Sequence, residues 1–137
     1  VAVKEATGNV LRAQDLARRL GDRLTVLCGD DALTLPMIAV GARGVISVTS
    51  NVLPARVAQA TRAALDGDRA LALKRHLALL PVHEAMFTEP NPAPAKAVLA
   101  MRGKIRNVVR GPLVPASEKT QATISAVLDA YARSNET

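Results

Sequence analysis

Three short aliphatic and β-branched runs mark the first third of the chain: Val1-Ala2-Val3, Leu24-Thr25-Val26-Leu27 and Val45-Ile46-Ser47-Val48. They recur a little over 20 residues apart, with helical periodicity between them. In the first interval Val10, Ala13, Ala17 and Leu20 follow steps of 3 and 4, while Arg12, Gln14, Asp15 and Arg18 fill other positions, the signature of an amphipathic helix. Thr7 and Asn9 are its candidate caps, and Gly21 its stop. The second interval predicts a helix from Asp31 to Val40, closed by Gly41. Pro36 lies too deep for the first helical position, which predicts a bend or a late start. Strands alternating this closely with helices predict βαβ units and a parallel sheet.

Beyond the third run the period is helical throughout. Leu53–Leu65 predicts a helix closed by Asp66-Gly67-Asp68, and Arg69–Met86 a long one. In the long helix Leu71, Leu73, Leu77, Leu80 and Val82 are expected to supply most of the buried surface. Glu89-Pro90-Asn91-Pro92-Ala93-Pro94 breaks the pattern, because three prolines in five residues cannot continue a helix. A short helix near Ala95–Met101 and a rigid connection at Gly111–Pro115 follow. The last helix is expected over Ser117–Arg133, with Ser117 as cap and Ile124, Val127, Leu128 and Tyr131 on one stripe. The fold class is therefore α/β, with βα units over residues 1–65 and an α-helical domain over 66–137. Parallel sheets need both faces covered, so three units make a poor domain alone. A (β/α)8 barrel takes about 250 residues, and these three units fit the C-terminal part of such a TIM barrel. The chain starts without Met, inside a predicted strand, which suggests a segment of a longer protein.

Composition narrows the choices. Of 137 residues, 49% are hydrophobic and only 1% aromatic, namely Phe87 and Tyr131. A core of Leu, Val, Ile and Ala is expected, without the aromatic platforms on which nucleic-acid modules stack bases. The net charge of +6 comes from scattered arginines and names no partner, so no nucleic acid is expected. Cys28 is the single cysteine, which excludes an internal disulfide or a Cys-rich zinc site. No stretch approaches the ~18 apolar residues of a membrane span, and no membrane association is expected.

Lys4 is the most informative residue. Alternation along a strand puts Val1 and Val3 on one face, and Ala2 and Lys4 on the other. If the valines face outer helices, Lys4 points inward. An amine enclosed at the C-terminal end of a barrel strand is poorly solvated, which disfavours its charged form and prepares it to attack a ketone. The plainer alternative is a solvated lysine at a strand end. The next two runs also end in small or polar residues, Cys28-Gly29-Asp30-Asp31 and Thr49-Ser50-Asn51. Barrel active sites gather at such ends, so Lys4, Gly29 and Thr49 are expected around one mouth. Gly29 admits close approach of a ligand, or simply makes a turn; Asp30 or Asp31 caps a helix. Cys28, with no histidine near it in sequence, reads as a packing residue. His76 and His83 are seven apart on one helix without a third ligand in view, so no metal site is expected.

Val3-Lys4-Glu5-Ala6-Thr7-Gly8, Gly29-Asp30-Asp31, Gly44-Val45-Ile46-Ser47-Val48-Thr49-Ser50-Asn51 and Glu89-Pro90-Asn91-Pro92-Ala93-Pro94-Ala95-Lys96 resemble, in order, consecutive motifs of the dihydrodipicolinate synthases. These are class I, lysine-dependent aldolases of the N-acetylneuraminate lyase superfamily. The resemblance implies that Lys4 forms an imine with pyruvate, which then condenses with aspartate semialdehyde in lysine (diaminopimelate) biosynthesis, with no metal or organic cofactor. It implies that Ile46 and Gly29 bind substrate, with Thr7, Thr49 and Asn51 as possible mouth residues. It covers the family's C-terminal half: barrel strands six to eight and the helical domain. The family's threonine pair, tyrosines and arginine lie in the other half, so the segment is expected to be inactive alone. Its implied partners are that N-terminal half and further copies in a cytoplasmic homotetramer. Another pyruvate aldolase of the superfamily and a non-catalytic assembly module are the alternatives.

Overall fold

The computed structural model describes residues 1–134. In chain order they form β1 (Ala2–Glu5), α1 (Val10–Leu20), β2 (Thr25–Cys28), α2 (Thr34–Ala39), α3 (Pro54–Leu65), α4 (Arg69–Ala85), α5 (Ala93–Met101) and α6 (Glu118–Ser134). Tight 3-10 turns at Gly21–Arg23, Asp31–Leu33 and Thr49–Asn51 punctuate them. Two compact units result: Val1–Ser47 with Ala55–Leu77, and Val48–Pro54 with the chain from Ala78 onward.

In the first unit β1 and β2 pair in parallel, with Lys4 opposite Leu27 and Glu5 opposite Cys28. Asn9 is the cap of α1: its Oδ1 accepts from Leu11 N–H at 2.9 Å. Gly21, at φ +50°, ends the helix and donates to the Ala17 carbonyl, a conformation that favours glycine. The second helix starts late. Asp30 caps the Asp31–Leu33 turn by accepting from Ala32 N–H, and α2 begins only at Thr34. Pro36 thereby falls in the first turn of α2, where its missing N–H costs no hydrogen bond.

The third predicted strand is the main correction. Val45 makes a single parallel bridge to Cys28. It rests on Cys28 N–H to the Gly44 carbonyl and Ile46 N–H to the Cys28 carbonyl, both 2.8 Å. Extended backbone then gives out, because Val48 is already helical at φ −76°, ψ −45° and leads into the Thr49–Asn51 turn. A β-branched run marks what could be a strand; the turn following it decided otherwise. Ala13, Val26, Cys28, Met37 and Ala42 form this unit's core, with Val3, Val10, Leu16 and Val45 packed against it.

The second unit is built around Val52, Ala85, Met86, Ala95, Val98 and Ile124, with Val127 and Leu128 half-buried beside them. Ser117 caps α6 by accepting from Thr120 N–H. The Glu89 carboxylate holds Ser117 in turn, accepting from its hydroxyl at 2.6 Å and its N–H at 3.1 Å. These bonds keep the Glu89 carboxyl below its ordinary pKa, so the proline-rich break is tied to the start of the last helix. Two expectations about packing fail. Met37 and Met86 are fully buried, adding unbranched thioethers to the expected Leu/Val/Ile/Ala core. On α4, Leu73 and Leu77 are 49% and 56% exposed. Val82 is fully buried as expected, but the other buried positions follow the stripe Ala72, His76, Leu79 and His83, one position earlier along the helix than Leu73, Leu77 and Leu80 and therefore rotated by about 100°. Both histidines have partners there: His83 Nδ1 lies 2.8 Å from Thr49 Oγ1, and His76 bonds the Ala32 carbonyl.

Candidate active site

The pleat of β1 sorts its side chains as alternation requires. Val3 packs on the helix-side core and Glu5 is buried, whereas Ala2 and Lys4 are exposed on the other face. Lys4 thus stands near the C-terminal end of β1, on the face away from the helices, and these residues do not enclose its amine. Glu5 secures the turn that follows. Its Oε1 accepts from Thr7 N–H at 3.1 Å and lies 3.9 Å from Arg12 Nε. Oε2 is buried with no hydrogen-bond partner among the described residues.

Gly29 closes on Lys4 from β2. A Cβ at this position would stand 2.5 Å from Ala6 Cβ and 2.9 Å from both the Glu5 carbonyl oxygen and Lys4 Cε. The close approach that requires glycine here is made by the chain's own first strand. Gly29 N–H donates to the Glu5 carbonyl at 2.7 Å, and Ile46 N–H donates to the Cys28 carbonyl. Both amides are committed to the sheet. Any main-chain contact these two residues make with a ligand therefore goes through a carbonyl oxygen, an acceptor. Such groups can take a hydrogen bond from an N–H or a hydroxyl; they cannot hold a carboxylate, which must find its donors elsewhere. Alternation from Val45, which packs on the core, puts the exposed Ile46 on the Lys4 face of the sheet.

The acidic pair after Gly29 divides its work. Asp30 is the cap described above, while Asp31 is 1% exposed and accepts a very short hydrogen bond from the Ser47 hydroxyl. Thr34 Oγ1 donates to the Asp31 carbonyl at 2.9 Å. In the sequence Asp31 is a candidate capping residue and Ser47 simply part of the third β-branched run; pairing them requires knowing that the two loops meet. Thr7 is exposed, its hydroxyl 3.4 Å from Asn9 N–H. Thr49 and Asn51 belong to the second unit, Thr49 fully buried against His83 and Asn51 donating to the Val48 carbonyl at 2.9 Å. Cys28 is buried in the core, which pushes its thiol pKa up.

The sequence profile of the dihydrodipicolinate synthetase family matches residues 1–131. A 4-hydroxy-tetrahydrodipicolinate synthase from Sorangium cellulosum is 60% identical over 128 residues, covering 93% of this chain and 42% of that protein. The dihydrodipicolinate synthase structure from Aquifex aeolicus superposes with a TM-score of 0.93 at 42% identity, over 96% of this chain and 45% of its own. A chloride-inhibited dihydrodipicolinate synthase from Acinetobacter baumannii, solved with pyruvate, gives 0.92 at 31% identity, over 96% and 45%. The chain spans less than half the length of the relatives it matches.

Proposed function

The chain belongs to the dihydrodipicolinate synthetase family, and from that membership we propose that it is the C-terminal half of a 4-hydroxy-tetrahydrodipicolinate synthase. Residues 1–65 would be the last three βα units of its barrel and 66–137 its helical domain. The observation that carries the reading is Lys4: a lysine near the C-terminal end of a parallel strand, on the face away from the helices, its stem against Gly29.

In the reaction the neutral Lys4 amine adds to the ketone carbon of pyruvate, and loss of water leaves an imine. The protonated imine withdraws electrons, so a methyl proton is lost and an enamine forms. Its carbon adds to the aldehyde of aspartate semialdehyde. The amine of that substrate then displaces Lys4 and closes the ring. The Gly29 and Ile46 carbonyls, with their amides occupied, suit the N–H of the imine and the hydroxyl formed on addition. The pyruvate carboxylate is left to donors of the N-terminal half, which also encloses Lys4 and supplies acid–base groups. Other copies in a cytoplasmic homotetramer complete the assembly. Support comes from the relatives' shared name and from the pyruvate held by the Acinetobacter baumannii enzyme.

Borohydride treatment of the complete enzyme with pyruvate should reduce the imine and leave a pyruvyl adduct on Lys4, located by tryptic mass mapping. Lys4→Arg should abolish it, because a guanidinium stays protonated. An adduct elsewhere, or none, would refute the assignment.

A further inference from the structure

Resting on the pyruvate reading above, we propose that Glu5 is a positioning residue for Lys4, holding the backbone on which the stem of the reactive lysine is set. Like Val3, its side chain leaves β1 on the helix side, opposite Lys4 and away from the amine. It acts through two acceptors that bracket Ala6. The Glu5 main-chain carbonyl accepts from Gly29 N–H at 2.7 Å, and the carboxylate Oε1 accepts from Thr7 N–H at 3.1 Å. The first bond fixes the peptide unit before Ala6 and the second fixes the unit after it, each a rigid plane.

Ala6 matters because Gly29 is wedged between it and Lys4. A Cβ on Gly29 would stand 2.5 Å from Ala6 Cβ and 2.9 Å from Lys4 Cε. The Gly29 backbone is thus the surface that confines the lysine stem at Cε, the atom that bears the amine, and Ala6 backs that surface. Loosening either peptide unit of Ala6 lets Gly29 shift and frees the amine to swing.

Packing alone does not account for a carboxylate here. Oε2 is buried with no hydrogen-bond partner among the described residues, and burial that shuts out water shuts out a donor from the rest of the enzyme as well. Arg12 stands 3.9 Å from Oε1 on a side chain that is itself largely exposed. An acceptor buried without a donor subtracts from stability, so an apolar side chain of the same length would fill the space at no loss. What it would lack is the bond to Thr7.

The test uses the complete enzyme with Glu5→Met, which keeps the side-chain length without acceptors, and Glu5→Gln, whose amide oxygen can still take the Thr7 N–H. Pyruvate–borohydride labelling of Lys4 should slow about tenfold in Glu5→Met, with the urea midpoint near the parent's, because the N–H of the exposed Thr7 finds water instead. Its kcat/KM for pyruvate should fall alike while that for aspartate semialdehyde stays within about twofold, since the imine forms before the aldehyde reacts. Glu5→Gln should label within about threefold of the parent rate. A parent-like labelling rate in Glu5→Met would overturn the proposal. So would failure of that variant to fold, equal falls in both kcat/KM values, or Glu5→Gln labelling as slowly as Glu5→Met, each the mark of a structural role. Absence of a Lys4 adduct in the parent enzyme would instead remove the pyruvate reading itself, and this positioning role with it.

Discussion

Gly29→Ala adds one methyl group where three atoms already crowd: Ala6 Cβ at 2.5 Å, and the Glu5 carbonyl oxygen and Lys4 Cε at 2.9 Å. Carbon atoms rest comfortably at about 3.5–4.0 Å, so Ala6 and the new methyl must separate by roughly 1 Å or more. Lys4 Cε can swing aside on its flexible stem. Ala6 and the Glu5 carbonyl cannot move without moving the end of β1. That movement opposes the 2.7 Å bond from Gly29 N–H to the same carbonyl. Overpacking costs about 1–3 kcal/mol and a weakened hydrogen bond about 0.5–1.5 kcal/mol, so the variant should lose roughly 1.5–4.5 kcal/mol by these two contributions together. Gly8→Ala is the matched control: nothing lies within 4 Å of its would-be Cβ, but its φ is +76°, so it should lose only about 1–2 kcal/mol from left-handed backbone. Urea unfolding of the complete enzyme measures both. Pyruvate–borohydride labelling of Lys4 should slow in Gly29→Ala and stay near normal in Gly8→Ala. If Gly29→Ala unfolds at the parent's urea midpoint and labels at the parent's rate, the packing argument for glycine is wrong.

Two further outcomes follow from burial on α4. Burial pushes the His76 imidazole below its ordinary pKa, against the raising effect of its bond to the Ala32 carbonyl. The folded form therefore resists a proton that the unfolded chain accepts near pH 6.5. Stability should be full above that pH and decline as pH falls below it, and His76→Gln should show a flatter urea midpoint between pH 7.5 and 5.5. Leu79 is 2% exposed and Leu73 49%, so Leu79→Ala should cost about 2–5 kcal/mol and Leu73→Ala less than about 1 kcal/mol. Equal losses would mean the leucine stripe expected from sequence is the buried one after all.

Local signals were legible and relational ones were not. Asn9, Gly21 and Ser117 act within a few residues of themselves, so sequence placed the ends of α1 and the start of α6 well. Pro36 announced a late start for α2. The third run carries β propensity in Val45, Ile46 and Val48, whereas the helical dihedrals of Val48 are set by the turn it enters. On α4, Leu73, Leu77 and Leu80 offer one stripe and Ala72, His76, Leu79 and His83 another, a single residue apart in phase. Hydrophobicity favours the first; only knowing that Thr49 and Ala32 receive the imidazoles selects the second. At the candidate site, alternation was enough to put Lys4 on the face opposite Val3. The occupied amides of Gly29 and Ile46, and the meeting of Asp31 with Ser47, are contacts between distant segments that composition and spacing do not record.

Cys28 gives the first unit a clock. It is fully buried in β2, between the β1 pairing and the bridge to Val45, with its Sγ 2.9 Å from the Asp30 carbonyl that it bonds. A thiol reagent is attacked by an exposed thiolate, and the native fold offers neither exposure nor an easily ionised sulfur. Reaction must wait until the strands part. Cys28 is the single cysteine of these 137 residues, so the labelling rate of the peptide that carries it, followed by mass mapping, reports on this sheet. Divided by the rate for the unfolded chain, it gives the fraction of time the sheet stands open. The residue that plays no part in the chemistry thus reports how long the scaffold behind Lys4 stays shut.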